Sequence, residues 1–124
     1  MARRQVQDIA VPHECMQRIV DCLCSAAPVQ RLYVFGSYAR GEQGPESDID
    51  LFAIVDEGEP AMWEWGVDMR MALRWLTAFS ADGLPRGKDV LYCTQREFDQ
   101  RRDKPWRIER DVDEEGVLVY ERGA

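Results

Sequence analysis

The chain has 124 residues, with 16 lysines and arginines against 23 aspartates and glutamates, 45% hydrophobic residues and a formal charge of −7. That length suits a single small domain spanning 1–124 with a core of its own, and the balance excludes wholesale disorder. The negative charge is a poor footprint for gripping nucleic acid through its phosphates, so direct nucleic-acid binding is not expected, whereas a basic protein partner would suit it.

Pro12 opens a helix in which Cys15 or Met16, Ile19, Val20 and Leu23 recur at three- and four-residue intervals up to about Ala26. Pro28 ends it. Arg31 to Phe35 is a short β-rich run that stops at Gly36, and it reads as a buried strand. Residues 36–47, GSYARGEQGPES, hold three glycines and a proline and form a turn with one helical turn inside. Asp48 to Val55 is the second strand, followed by a loop over 56–60. From Ala61 to about Ser80 the positions Trp63, Val67, Met71, Trp75 and Ala78 keep a helical beat, which predicts Trp63 in the core and leaves Trp65 open. A turn over Asp82–Gly87 leads to a third strand, Asp89–Cys93. A polar helix over about Gln95–Arg102, a helix opening at Pro105 and a last strand, Val117–Tyr120, complete the order. Such an order predicts an α+β fold: a mixed sheet of three to four strands with helices packed on one side.

The longest apolar run, Leu51 to Val55, has five residues, so no segment is expected to span a membrane. Arg3 and Arg4 precede no apolar stretch, which argues against a secretion signal. Cys15, Cys22, Cys24 and Cys93 show no Cys-x-x-Cys spacing and read as reduced thiols, pointing to a cytoplasmic protein.

Three features coincide between Tyr33 and Asp89. Gly36-Ser37 follows a strand directly, and the amides after such a glycine can point at a phosphate. Asp48 and Asp50 sit two apart in a β pattern, so their carboxylates share one face while Ile49 and Leu51 take the other. Paired carboxylates repel unless a cation sits between them, and oxygen-only ligands favour a hard ion such as Mg²⁺. Asp89 opens the next strand. If that strand lies beside the second one, three acids share a patch, with Asp89 placed to take the proton from an attacking hydroxyl. Together these features predict transfer of a nucleotidyl group from a triphosphate, with pyrophosphate leaving.

At these residues, FGSYARGEQGPESDIDLFAIV, the chain resembles the minimal nucleotidyltransferase (MNT) family, a branch of the DNA polymerase β-type nucleotidyltransferases. The resemblance implies a nucleotidyltransferase fold, two Mg²⁺ ions, and ATP or another nucleoside triphosphate as substrate. Carried over by position, Gly36 and Ser37 hold the triphosphate, Asp48 and Asp50 ligate the metals and Asp89 is the third carboxylate. Arg40 touches phosphate or supports the loop. Many members resembling this chain are antitoxins that silence a HEPN ribonuclease toxin by transferring AMP to one of its tyrosines. A HEPN-type toxin is therefore the expected partner, with homo-oligomerisation open.

Two other readings stand beside this one. Transfer to a small hydroxyl compound such as an aminoglycoside would normally use a substantial second domain. A catalytically weak nucleotide-binding antitoxin would neutralise by association alone, against which the intact Asp48 and Asp50 argue. Residues 42–59 carry seven acids and no bases, enough to steer a basic protein towards the site as well as to bind metal. Residues 96–110 hold six bases and four acids and read as a solvated helix.

Overall fold

The structure is a computed structural model and describes residues 3–58, 62–79, 83–85 and 87–123. Glu59, Pro60, Ala61, Ser80, Asp82 and Arg86, and the side chain of Ala78, lie outside the described residues.

After a 3₁₀ turn at Val6–Asp8 come α1 (His13–Ala26), β1 (Val29–Phe35), α2 (Ser37–Arg40), β2 (Ile49–Val55), α3 (Met62–Phe79), β3 (Lys88–Thr94), α4 (Gln95–Arg101), α5 (Ile108–Glu115) and β4 (Val117–Glu121). The strands form a four-stranded sheet in the order β3-β2-β1-β4. β1 is antiparallel to both β2 and β4, whereas β2 and β3 run parallel, joined through α3. Parallel neighbours need such a crossover, which is why a helix separates these two strands in the sequence.

The near-continuous apolar run of β2 has a simple cause: both faces of the strand are covered. Ile49, Leu51, Ala53 and Val55 point into a cluster with Ile19 and Leu23 of α1 and Met69 and Leu73 of α3. Phe52 and Ile54 point the opposite way, with Phe35, Cys93, Phe98 of α4 and Val112 of α5. The helices therefore pack on both faces of the sheet rather than on one. The second layer is hard to read in sequence because α4 and α5 are short and contribute only Phe98, Val112 and the half-buried Ile108 to it. The last helix begins at Ile108, not Pro105, with Arg107 as its N-cap.

α3 is rotated relative to the sequence expectation. Its inward face is Met69 and Leu73, with Trp65 and Leu76 packed against the core. Trp63 is 65% exposed, and Val67, Met71 and Trp75 lie on the same outer side.

α4 opens with a reciprocal cap, in which Glu97 N donates to Thr94 Oγ1 and Thr94 N donates to Glu97 Oε1. Beneath it the buried Glu109 accepts from Arg107 Nε at 3.1 Å and Arg101 Nη1 at 3.3 Å. Burial pushes this carboxyl upward, but the hydrogen bonds from Arg107 and Arg101 outweigh it and hold Glu109 below its ordinary range. The neighbouring Cys93 thiol is pushed up to about 12, first by burial and then by Glu109 and Glu97, which leaves it unreactive. A depressed carboxyl contributes stability above its unfolded pKa that is lost as pH falls through the folded one. Glu109→Gln is therefore expected to cost about 1–3 kcal/mol in urea melts at neutral pH, with the deficit shrinking in acid.

Candidate active site

β1 ends at Phe35, and the chain bends at Gly36 with φ 73° and ψ −151°, a combination closed to residues with a side chain. A Cβ at Gly36 would also stand 2.5 Å from Oδ2 of Asp50. Ser37 then opens α2, a single turn closed by Gly41 in the left-handed conformation. The first amides of such a turn have no helical partner and are available to an anion.

Asp50 is the second residue of β2. Its register partners are Phe35 on β1 and Asp89 on β3. In-register parallel strands present opposite residues on the same face, and Asp50 and Asp89 share theirs with Phe52 and Leu91, under α4 and α5. Asp48 lies just ahead of β2, where Ile49 N donates to Gly87 O at 2.9 Å. A Cβ on Gly87 would overlap the Asp48 carboxylate, so this glycine makes the space in which Asp48 sits. Its place at the end of the turn, just before the Lys88-Asp89 strand start, is the sequence signal for that role.

Burial first, and then the charges of Asp89 and Asp48, push the Asp50 carboxyl above its ordinary range, while Arg40 pulls the other way. Asp50 thus feels the charge of both other acids. Asp89 is exposed, and its Oδ1 accepts from its own neighbour, Val90 N, at 3.0 Å. Among the described residues, no three His, Cys, Asp or Glu side chains are already gathered into a metal cage. The carboxylates of Asp48 and Asp89 nonetheless stand about Asp50 with like charge that Arg40 offsets only in part, the chemistry that suits a hard divalent cation. Asp48, Asp50 and Asp89 are the residues that could hold one.

Arg40 is engaged by protein. Its Nε donates to Glu42 Oε1 at 2.6 Å and its Nη1 to Glu115 Oε2 at 3.1 Å, which ties the loop after α2 to the end of α5. Of the two roles implied for Arg40, support of the loop is the one these contacts describe. The N-terminus adds residues that no spacing rule could have found. Arg3 Nη2 donates to the carbonyls of Gly116 at 2.7 Å and Asp113 at 2.9 Å, capping α5. The Arg4 guanidinium rests beside Gly41.

A glycine–serine bend beside acids that open two parallel strands of a small mixed sheet is the arrangement of a nucleotidyltransferase. The chain belongs to the nucleotidyltransferase domain family, whose pattern matches residues 16–119. No curated protein matches it. Among solved structures, it is similar to a Sulfolobus solfataricus protein assigned as a nucleotidyltransferase, at 22% identity and a TM-score of 0.51, over 88% of this chain and 82% of that one. A toxin–antitoxin structure with AMP-PNP is 21% identical over 87% of this chain and 74% of the other, with a TM-score of 0.49. A mutant of the toxin–antitoxin MntA-HpeT is 20% identical over 86% and 72%, with a TM-score of 0.47.

Proposed function

We propose that this nucleotidyltransferase is an antitoxin that transfers AMP from ATP to a hydroxyl, a tyrosine by preference, of a HEPN-type toxin in the cytoplasm. The observation that supports it best is the register pairing of Asp50 with Asp89 beside the Gly36 bend. The triphosphate lies against Gly36, Ser37 and the first amides of α2. Asp48, Asp50 and Asp89 hold Mg²⁺, which when bound neutralises the phosphates and the departing pyrophosphate. The toxin hydroxyl oxygen forms a bond to the α-phosphorus, the bond from that phosphorus to the β-bridging oxygen breaks, and pyrophosphate leaves. Asp89, exposed where Asp50 is half-buried, takes the hydroxyl proton. Arg40 steadies the loop through Glu42 and Glu115.

The test is incubation with Mg²⁺, ATP labelled at the α-phosphate and the protein encoded by the adjacent gene. Label on that protein is expected, and none with the Asp48→Asn, Asp50→Asn double variant. Tight association without label would replace the reading with neutralisation by binding. Label found only on an added small alcohol would replace it with small-molecule transfer.

A further inference from the structure

The outer side of α3 carries an apolar ridge: Trp63 is 65% exposed, Val67 and Met71 46% each, and Trp75 62%. With tryptophan faces on the order of 250 Å², the ridge offers roughly 400 Å², as much as the largest patch of a typical monomer. Four exposed charges flank it. At 100° per residue, Val67 and Met71 occupy the middle of the outer face. Arg70 and Arg74 fall on the Trp63 side, and Glu64 and Asp68 on the Trp75 side.

That segregation is unlike the charge pattern of α4 and α5. α4 and α5 pair opposite charges within the chain, as in Arg101 with Glu97, Arg102 with Asp113 and Arg110 with Glu114. Among the described residues, no ion pair engages Glu64, Asp68, Arg70 or Arg74. Each flank instead stacks like charge on like charge four residues apart, which by itself weakens a helix slightly.

We propose that α3 is a homodimer interface, in which a second copy packs its own α3 parallel to the first across a two-fold axis running along the helices. Only that orientation sets the acidic flank of one copy against the basic flank of the other. Asp68 then lies about 3 Å along the axis from Arg70 of the second copy, and Trp75 about 1.5 Å from its Arg74, a cation–π pairing. An antiparallel pair would set Arg70 against Arg70 and Asp68 against Asp68. Flanking charges choosing orientation around an apolar seam is how paired helices are generally specified. α3 covers the sheet face opposite to Asp50 and Asp89, so both sites of the dimer stay open to acceptors. The inference is independent of the acceptor named above.

Sedimentation velocity of the purified chain across a micromolar concentration series tests it. The wild type is expected to be a dimer. The Arg70→Glu, Arg74→Glu variant, acidic on both flanks, and the Glu64→Arg, Asp68→Arg variant, basic on both, are each expected to associate more than about tenfold more weakly. Mixed together they should recover a dimer. All four positions are exposed, and circular dichroism checks that the fold is kept. A wild type that stays monomeric throughout overturns the proposal, even if a toxin then binds this face. So does a dimer that neither charge variant weakens.

Discussion

Asp50→Asn is expected to lower nucleotidyl transfer by about 10³-fold or more while making the metal-free protein slightly more stable. Two opposite effects from one substitution follow from where this carboxylate stands. It is half-buried at the start of β2, pressed towards Gly36 and opposite Asp89 in register, and its charged form is disfavoured by burial and by two neighbouring acids. The amide is nearly isosteric and carries no charge, so that repulsion disappears with the ligand. A carboxyl raised in the folded state binds its proton more tightly there than in the unfolded chain. Stability therefore falls as pH rises from the unfolded pKa, about 3.9, through the folded one, and stays lower at neutrality. The asparagine variant escapes that loss. Its advantage should be present at neutral pH and vanish below roughly pH 4, where both forms are neutral. Solvent screening at a partly exposed group keeps the gain to about 1 kcal/mol or less, readable as a small rise in Tm.

Magnesium separates this reading from a purely structural one. A cation that binds the folded chain and not the unfolded one raises stability by mass action. Wild-type Tm is expected to climb with millimolar Mg²⁺, and Asp50→Asn to climb much less. Equal shifts in both proteins, or full transfer activity in the variant, would remove Asp50 from any cation site.

Much of this site was legible because its parts are local. A β-rich run ending at Gly36, a serine after it, and two aspartates on alternate positions of an apolar run carry their geometry in their spacing. Asp89 needed more, since its value depends on β3 lying beside β2, and that adjacency is a property of the sheet order. α3 shows what spacing alone does not decide. Trp65, Met69, Leu73 and Leu76 recur at helical intervals, and so do Trp63, Val67, Met71 and Trp75. A helix with two apolar stripes can present either to the sheet. The inward one pairs tryptophan with the smaller, more deeply fitting Met69 and Leu73, and both end at 2% exposure or less. Arg40 was ambiguous for another reason: its partner Glu115 lies 75 residues away in sequence, a contact created only when α5 swings back to the loop after α2.

Gly36→Ala is expected to damage both the fold and the transfer. At φ 73° and ψ −151° an alanine pays backbone strain of about 1–3 kcal/mol wherever its side chain goes. Here it also goes to a bad place, 2.5 Å from Oδ2 and 3.4 Å from Cγ of Asp50. Either the carboxylate moves or the bend opens, and each displaces a group that the proposed transfer chemistry uses. A combined loss of about 2–4 kcal/mol in stability and of about 10²–10³ in transfer is expected. The two causes can be separated. Asp50→Ala removes the carboxylate and leaves its Cβ at an ordinary 3.6 Å from the new methyl. In that background the stability cost of Gly36→Ala should shrink to the backbone part alone, a coupling that urea denaturation of the four proteins in the cycle measures directly. A cost unchanged by Asp50→Ala would mean that the methyl finds room without touching the carboxylate, and that the bend at Gly36 does not set the position of Asp50.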